Sequence, residues 1–196
     1  MKHIYFCLLL AFSFGNILAN NNSFAPAGTV SGPGAVCLNE ANTFITFTGS
    51  GGTAPYTFTY TINGGAVLTV STTGSNDDVT VPINTTAVTS FKYDLKSVKD
   101  KTSGFINQTG SATVTVNAPP TIDFSFNNDN TCSGTSIQFT STVTGTGNYT
   151  YSWDFGDGTP TSNQKNPTHA FTALGCGTST FKVVLTVNGD GCSVSK

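Results

Sequence analysis

The sequence predicts an all-β protein built from two β-sandwiches in series. Thr, Val, Phe and Tyr are abundant beside Gly, Asn and Ser, whereas residues that favour long helices are scarce. Large apolar residues alternate with small polar ones in many short runs, which is the pattern of half-buried strands. The paired prolines of Ala118-Pro119-Pro120 break any strand and stiffen a connection, so they divide the chain into two blocks.

The N-terminus has the three parts of a secretory signal peptide. A short basic start is followed by the apolar run IYFCLLLAFSF at residues 4–14 and then by a polar segment that follows a small residue. We therefore expect residues 1–19 to be removed on export and residues 20–27 to form a polar linker. The apolar run is too short to span a membrane, and we expect no membrane span in the mature chain.

The first block, residues 28–118, is predicted to hold about seven short strands with one face buried. Tyr56, Phe58, Tyr60 and Ile62 alternate with threonines. Asn63-Gly64-Gly65 then supplies the positive φ angles of a tight hairpin turn before the next strand returns.

The second block, residues 119–196, repeats this pattern and adds an aromatic run. Tyr149, Tyr151, Trp153 and Phe155 alternate and therefore share one face of a strand. That spacing predicts Trp153, the only tryptophan, to be a core residue and not a stacking platform for a ligand. A closing strand is predicted from the alternation of large apolar residues at Phe181, Val183, Leu185 and Val187.

The charge content argues against nucleic acid as a partner. Only 9% of the residues are charged, all eight basic residues are lysines, and arginine is absent. Nucleic-acid binders present a basic face rich in arginine, because the guanidinium fork matches phosphates and guanine edges.

The second block resembles the polycystic kidney disease (PKD) domain. The resemblance covers residues 119–196 and rests on WDFGDG at 153–158, NPTHAF at 166–171 and FKVVLTV at 181–187. The segment between Phe171 and Phe181 is longer than in the family pattern. The motif residues are Trp153, Asp154, Phe155, Gly156, Asp157, Gly158, Pro167 and His169.

The first block is similar to Ig-like repeats of large surface proteins in gliding bacteria of the Bacteroidota type. GGTAPYTF at 51–58, the NGG turn and SATVTV at 111–116 carry this likeness. Together the two resemblances imply tandem Ig-like β-sandwiches in an exported protein, often one sent out by type IX secretion. Since an Ig-like sandwich closes with a last strand, we expect the second sandwich to be incomplete at Lys196, within a longer chain.

The acidic motif contains two carboxylates, Asp154 and Asp157, whose placement does not favour catalysis. Acid and base catalysis needs two carboxyl groups across a cleft, whereas these lie on one turn between glycines. We expect each to accept hydrogen bonds from turn amides, with calcium binding by Asp154 and Asp157 as the alternative. His169, the one histidine of the mature chain, is expected to be structural, so no catalytic residue and no cofactor are predicted.

Export permits disulfides among the four cysteines of the mature chain. Cys37 is alone in its block and is predicted to be free. In the second block an Ig-like path implies that Cys132 pairs with Cys176, whereas the family's habit of a cysteine after an Asn-Gly-type turn favours Cys192. Neither pairing has the C-x-x-C spacing of a redox site, so the bond would serve stability.

These observations predict a non-catalytic, secreted or cell-surface module that acts as a spacer or adhesion unit of a larger protein. Its partners would be cell-surface proteins or glycans and the neighbouring domains of a longer chain. The alternative is an accessory module that brings a secreted protease or polysaccharide-degrading enzyme to its substrate.

Overall fold

The structure, a computed structural model, describes residues 24–127, 132–145, 147–172 and 178–196. The predicted signal peptide (1–19), residues 20–23 of the predicted linker and Cys176 lie outside these ranges. Every regular element in the described ranges is a β-strand, which confirms the all-β fold. Within the same ranges no helix is long and apolar enough to cross a membrane.

The N-terminal module contains eight strands in two sheets. The smaller sheet has the order β1-β3-β6, and the larger has the order β2-β8-β7-β4-β5. The strands are β1 (Ala27–Ser31), β2 (Ala35–Cys37), β3 (Phe44–Ser50), β4 (Thr57–Ile62), β5 (Val67–Ser71), β6 (Asp78–Pro82), β7 (Ser90–Lys99) and β8 (Ile106–Asn117).

The core of the N-terminal module lies between these two sheets. Ile45 and Phe47 point inward from β3 and are fully buried, while Phe58 and Tyr60 point inward from β4. The rings of Phe47 and Tyr60 have centroids 4.8 Å apart, so the two sheets meet through aromatic contacts. The large apolar residues that alternate along these strands are therefore the ones that face the core, and the polar residues between them face outward.

The predicted hairpin turn joins β4 to β5. Asn63 and Gly64 have φ angles of 50° and 69°, and the Gly65 N–H donates to the Ile62 carbonyl oxygen over 3.0 Å. Two consecutive positive φ angles match the right-handed twist of the paired strands, which is why Asn-Gly is favoured at this place.

The described residues of the C-terminal module form six strands. One sheet has the order β12-β10-β9 and the other the order β11-β13-β14. The strands are β9 (Thr121–Phe126), β10 (Ser136–Thr144), β11 (Thr150–Asp154), β12 (Thr168–Ala170), β13 (Val184–Gly189) and β14 (Cys192–Ser195).

The strand expected from Phe181 onward begins only at Val184. Its partner β11 ends at Asp154, which pairs with Val184, so residues 181–183 have no strand of β11 beside them. Phe181 instead stacks on Phe171, with ring centroids 4.7 Å apart. The apolar alternation thus continues as side-chain packing after the hydrogen-bonded ladder has ended.

The connection between the modules is short, because β8 ends at Asn117 and β9 begins at Thr121. The modules also meet away from this connection. β2 pairs in parallel with the end of β8, and β14 of the C-terminal module packs near both β2 and β9.

Candidate functional site

The acid turn, residues 153–159, begins in the last two residues of β11 and carries both candidate carboxylates. Asp154 is exposed, and its Oδ1 accepts a hydrogen bond from the Gly156 N–H over 2.9 Å. Gly156 has a φ of 71°, and a Cβ there would collide with the carbonyl oxygen of Lys182. The glycine is therefore required both by the backbone conformation and by the close approach of the neighbouring chain.

Asp157 lies on the inner side of this turn and is paired with His169. Its Oδ2 lies 2.7 Å from His169 Nε2, and the side chains are 7% and 15% exposed. Its Oδ1 accepts hydrogen bonds from the Thr159 N–H (3.1 Å) and hydroxyl (2.6 Å). Because an ionised carboxylate can only accept, Nε2 carries the proton in this pair.

The imidazole of His169 is also held by aromatic rings. It stacks on Phe155 with centroids 3.9 Å apart and planes 4° apart, and Phe171 meets it edge-on. The imidazole is thus held at Nε2 by Asp157 and on one face by Phe155, and the structural role expected for His169 stays a prediction.

Trp153 anchors the start of the acid turn in the core. It is fully buried, its indole N–H donates to the Gln164 carbonyl oxygen over 3.0 Å, and its backbone forms two hydrogen bonds with Ser162. The single tryptophan therefore ties the loop that follows the turn back onto β11.

The Asn166-Pro167 step fastens the other end of this loop, a role that sequence reasoning missed. Asn166 Oδ1 accepts from the Ser141 N–H (2.9 Å), and Gln138 Nε2 donates to the carbonyl oxygens of Asn166 and Pro167. Pro167 is fully buried. The Asn166 side chain accepts from a β10 N–H that lies beyond the end of β12, and the Gln138 side chain donates to two carbonyl oxygens of the loop.

The environment of Asp157 lowers its pKa from the usual 3.8 to about 2. Burial opposes the charge and raises the pKa, but the hydrogen bonds from Thr159 and His169 together outweigh it. Both carboxylate oxygens of Asp157 accept hydrogen bonds from groups within the module.

We predict that Asp157→Asn destabilises the protein by about 1–2 kcal/mol at neutral pH, because the charge-assisted hydrogen bonds are lost. A lowered pKa in the folded state gives stability that is present above pH 3.8 and is lost as the pH falls through about 2. Urea unfolding at several pH values should therefore show the gap between wild type and variant closing over that window.

Asp154→Asn is the matched control for this prediction. Asp154 lies in the same turn but is exposed, and asparagine retains its acceptor for the Gly156 N–H, so we expect a loss below about 0.5 kcal/mol. Equal losses for the two variants, or a gap that ignores pH, would contradict the role given to Asp157.

Calcium binding at Asp154 and Asp157 stays a prediction. A bound calcium ion takes six to eight oxygen ligands, and here it would compete with Thr159 and His169 for the oxygens of Asp157. Among the residues that the structure describes, no group of three or more His, Cys, Asp or Glu side chains is close enough to hold a metal ion.

The cysteines pair differently from the sequence expectation. Cys37 forms a disulfide with Cys192, across 155 positions and between the two modules, with the Cα atoms 4.8 Å apart. Cys37 is thus not free, and Cys132, which was expected to pair with Cys192 or Cys176, has an exposed free thiol. The reason is that Cys192 opens β14 beside β2, whose last residue is Cys37; the Cys132–Cys176 alternative involves a residue outside the described ranges.

We call the contact around this disulfide the junction; it comprises residues 35–37, 117 and 190–192. The hairpin between β13 and β14 turns at Asp190 and Gly191, with φ angles of 53° and 79°. The Asn117 side chain donates to the Asp190 carbonyl oxygen over 2.8 Å. The tip of a C-terminal hairpin is therefore seated against the N-terminal module.

We predict that Gly191→Ala destabilises the protein by more than about 2 kcal/mol. A Cβ at Gly191 would lie 2.7 Å from the backbone of Ala35 and Val36, in addition to the cost of a positive φ. The measurement is chemical denaturation of the oxidised protein.

Gly64→Ala serves as the control, because Gly64 has a φ of 69° in a similar hairpin turn and nothing lies within 4 Å of its added Cβ. Gly64→Ala should lower the free energy of unfolding only by the cost of a positive φ at alanine, about 1–2 kcal/mol. Losses of equal size at Gly64 and Gly191 would contradict tight packing at the junction.

Asp100 is a further acidic residue whose carboxylate is held by hydrogen bonds. It was not identified from the sequence. It is 5% exposed, and its carboxylate accepts from the N–H groups of Thr53 (2.7 Å), Thr102 (2.9 Å) and Ser103 (2.6 Å). The hydrogen bond from Thr53, followed by those from Ser103 and Thr102, holds its pKa well below the usual range although burial opposes the charge. Asp followed two and three residues later by Thr and Ser is a known turn pattern and could have revealed it.

The C-terminal module is a PKD domain. Residues 117–196 match the family model described as the PKD domain, in agreement with the motif resemblance. No curated protein matches the chain.

Two solved structures are similar to the chain at low identity. The FN1–FN3 domains of chicken CNTN1 have a TM-score of 0.44 and 12% identity, covering 88% of this chain and 64% of that chain. The three N-terminal domains of the bacteriophage RB49 highly immunogenic outer capsid protein (Hoc) have a TM-score of 0.29 and 16% identity, covering 86% and 58%. The chain thus spans about three fifths of each structure.

Proposed function

We propose that the mature chain is a non-catalytic extracellular unit of a larger secreted or cell-surface protein, in which it acts as a stiff spacer and an adhesion surface. PKD domains are extracellular-type modules of larger proteins, and a disulfide fits an oxidising compartment. The observation that carries the proposal is the Cys37–Cys192 bond, because it joins two modules instead of stapling one.

Stiffness follows from two separate attachments between the modules. The chain itself connects them through Ala118-Pro119-Pro120, and the disulfide with the Asn117–Asp190 hydrogen bond connects them a second time. A single flexible linker allows domains to swing, whereas two attachments restrict the swing. A spacer that must hold a distal domain away from a surface needs this restriction.

The adhesion surface that we propose is the outer face of the five-stranded sheet. Pairs of hydroxyl groups bond across its strands, Thr57 to Ser71 (2.9 Å) and Ser90 to Thr115 (2.8 Å), and the Lys92–Asp94 ion pair lies on the same face. Neutral hydroxyl groups can exchange hydrogen bonds with sugars and with peptide groups without a charged partner. Cell-surface glycans and proteins are therefore the partners that fit this face.

The proposed role is non-catalytic, and the surroundings of the single histidine support it. His169, the one histidine of the mature chain, has Nε2 committed to Asp157 and its ring face covered by Phe155. A general base must be free to reach a substrate proton. We expect the mature chain to hydrolyse no peptide, ester or glycan.

Small-angle X-ray scattering of the oxidised mature chain tests the spacer role. We expect one compact pair-distance distribution that fits the clamped arrangement, and a broader one after reduction. A flexible profile in the oxidised protein would overturn the spacer role.

Glycan and protein arrays test the adhesion role. We expect binding that falls at least tenfold in Thr113→Lys, on the proposed face, and is unchanged in Thr80→Lys, an equally exposed threonine on the other sheet. The absence of any binding, or equal effects of the two substitutions, would overturn it. Sequencing the gene beyond Lys196 distinguishes the adhesion role from the alternative. A catalytic domain there would make these modules accessories of a secreted hydrolase.

A further inference from the structure

The disulfide changes which part of the chain is stretched when the protein is pulled from its two ends. Cys37 is the last residue of β2, near the start of the described chain, and Cys192 is the first residue of β14, near its end. The shortest covalent route from residue 24 to residue 196 therefore runs through residues 24–37, the disulfide and residues 192–196.

We propose that the Cys37–Cys192 bond is a mechanical bypass, which lets the two-module unit transmit tension without unravelling. Residues 38–191 lie in a closed covalent ring that the pulling force does not have to cross. Both hydrophobic cores are built almost entirely from this ring, so force applied at the termini is not passed along their strands. This inference rests on the proposed spacer role, which is what would place the unit under tension.

The junction is built to keep the bypass short. The hairpin tip at Asp190 and Gly191 sits against the backbone of Ala35 and Val36, and Asn117 holds it by a hydrogen bond. These contacts place Cys192 beside Cys37 in the folded protein, so the bond needs no rearrangement of either module. The close packing at Gly191 and the Cys37–Cys192 bond therefore hold the hairpin tip against β2 together.

The amount of chain withheld from stretching is large. The two cysteines are 155 positions apart, which corresponds to roughly 500 Å of extended chain. Outside the ring, the described residues 24–36 and 193–196 can add only roughly 60 Å. Among the described residues, β1, β2 and β14 lie on the route that carries the force, and the other strands lie within the ring.

Optical-tweezers pulling on the full chain, with handles fused at both ends, tests the bypass. We expect the oxidised protein to lengthen by no more than the segments outside the ring. After reduction with a thiol, and in the Cys37→Ser/Cys192→Ser variant, unfolding should release roughly 500 Å more. Cys132→Ser is the control and should behave as the oxidised wild type, because its thiol is not part of the bond.

An unfolding extension of several hundred ångströms in the oxidised wild type would overturn the bypass, as would a non-reducing peptide map without a Cys37–Cys192 linked peptide. Reduction of the wild type gives the comparison even where the double variant does not fold. The pulling result is independent of the scattering and array results. A short extension in the oxidised protein together with no binding on the arrays would refute the adhesion role alone. A long extension together with a stiff scattering profile would refute the bypass alone.

Discussion

Trp153→Ala is expected to lower the free energy of unfolding by about 3–5 kcal/mol, one of the two largest losses expected for this protein. The side chain is completely buried, and its ring meets Phe124 edge-on at 5.2 Å and Phe139 at 5.5 Å. Truncation leaves a large cavity and also removes the donor for the Gln164 carbonyl oxygen. Far-UV circular dichroism in denaturant is the measurement, since the variant has no tryptophan fluorescence.

Phe126→Ala provides the control, because Phe126 belongs to the same aromatic group but is 49% exposed. We expect a loss below about 1 kcal/mol for this change. Trp153→Phe should fall between the two, since it keeps part of the volume but loses the hydrogen bond. Similar losses for Trp153→Ala and Phe126→Ala would contradict the assignment of Trp153 as the centre of this core.

Removal of the junction disulfide is expected to have the other large effect. Closing a loop of this length lowers the entropy of the unfolded chain, and the loop-closure relation gives about 5 kcal/mol for the 155-position separation. Cys37→Ser/Cys192→Ser should therefore lower the denaturant midpoint strongly. Serine at both positions leaves no unpaired thiol at the junction.

Two comparisons make this prediction specific. Cys132→Ser should leave the midpoint within about 0.5 kcal/mol of wild type, because its thiol is exposed and free. Reduction of the wild type should reproduce the shift seen in the double variant. An unchanged midpoint in the double variant would mean that the bond does not constrain the unfolded chain.

Those features of the fold that depend on neighbouring residues could be predicted. Period-two alternation placed Phe58 and Tyr60 in one core and Trp153 in the other, and both assignments agree with the burial in the structure. Asn63-Gly64 specified its hairpin turn because few other pairs accept two positive φ angles. The WDFGDG motif located the acid turn, but its key contact, Asp157 with His169, needed the three-dimensional path of β12.

The errors concern contacts between distant residues. Residues 181–183 carry strand alternation, yet whether they join a ladder depends on where β11 ends. Asp100 had a local signal in the Asp-Lys-Thr-Ser order, but its bond to Thr53 crosses 47 positions. Cys192 was assigned within its own module because nothing near it in sequence reveals that β14 faces β2.

The all-β class, the half-buried strands, the hairpin turn and the tryptophan core could each be derived from the sequence, because each follows from interactions between residues a few positions apart. The cysteine pairing could not, since a disulfide forms between cysteines whose Cα atoms come within a few ångströms in the folded protein. Cys37 and Cys192 meet that condition at 4.8 Å in the folded structure, where the β13–β14 hairpin lies against β2. The property that makes this chain a clamped pair is therefore a consequence of the packing between modules.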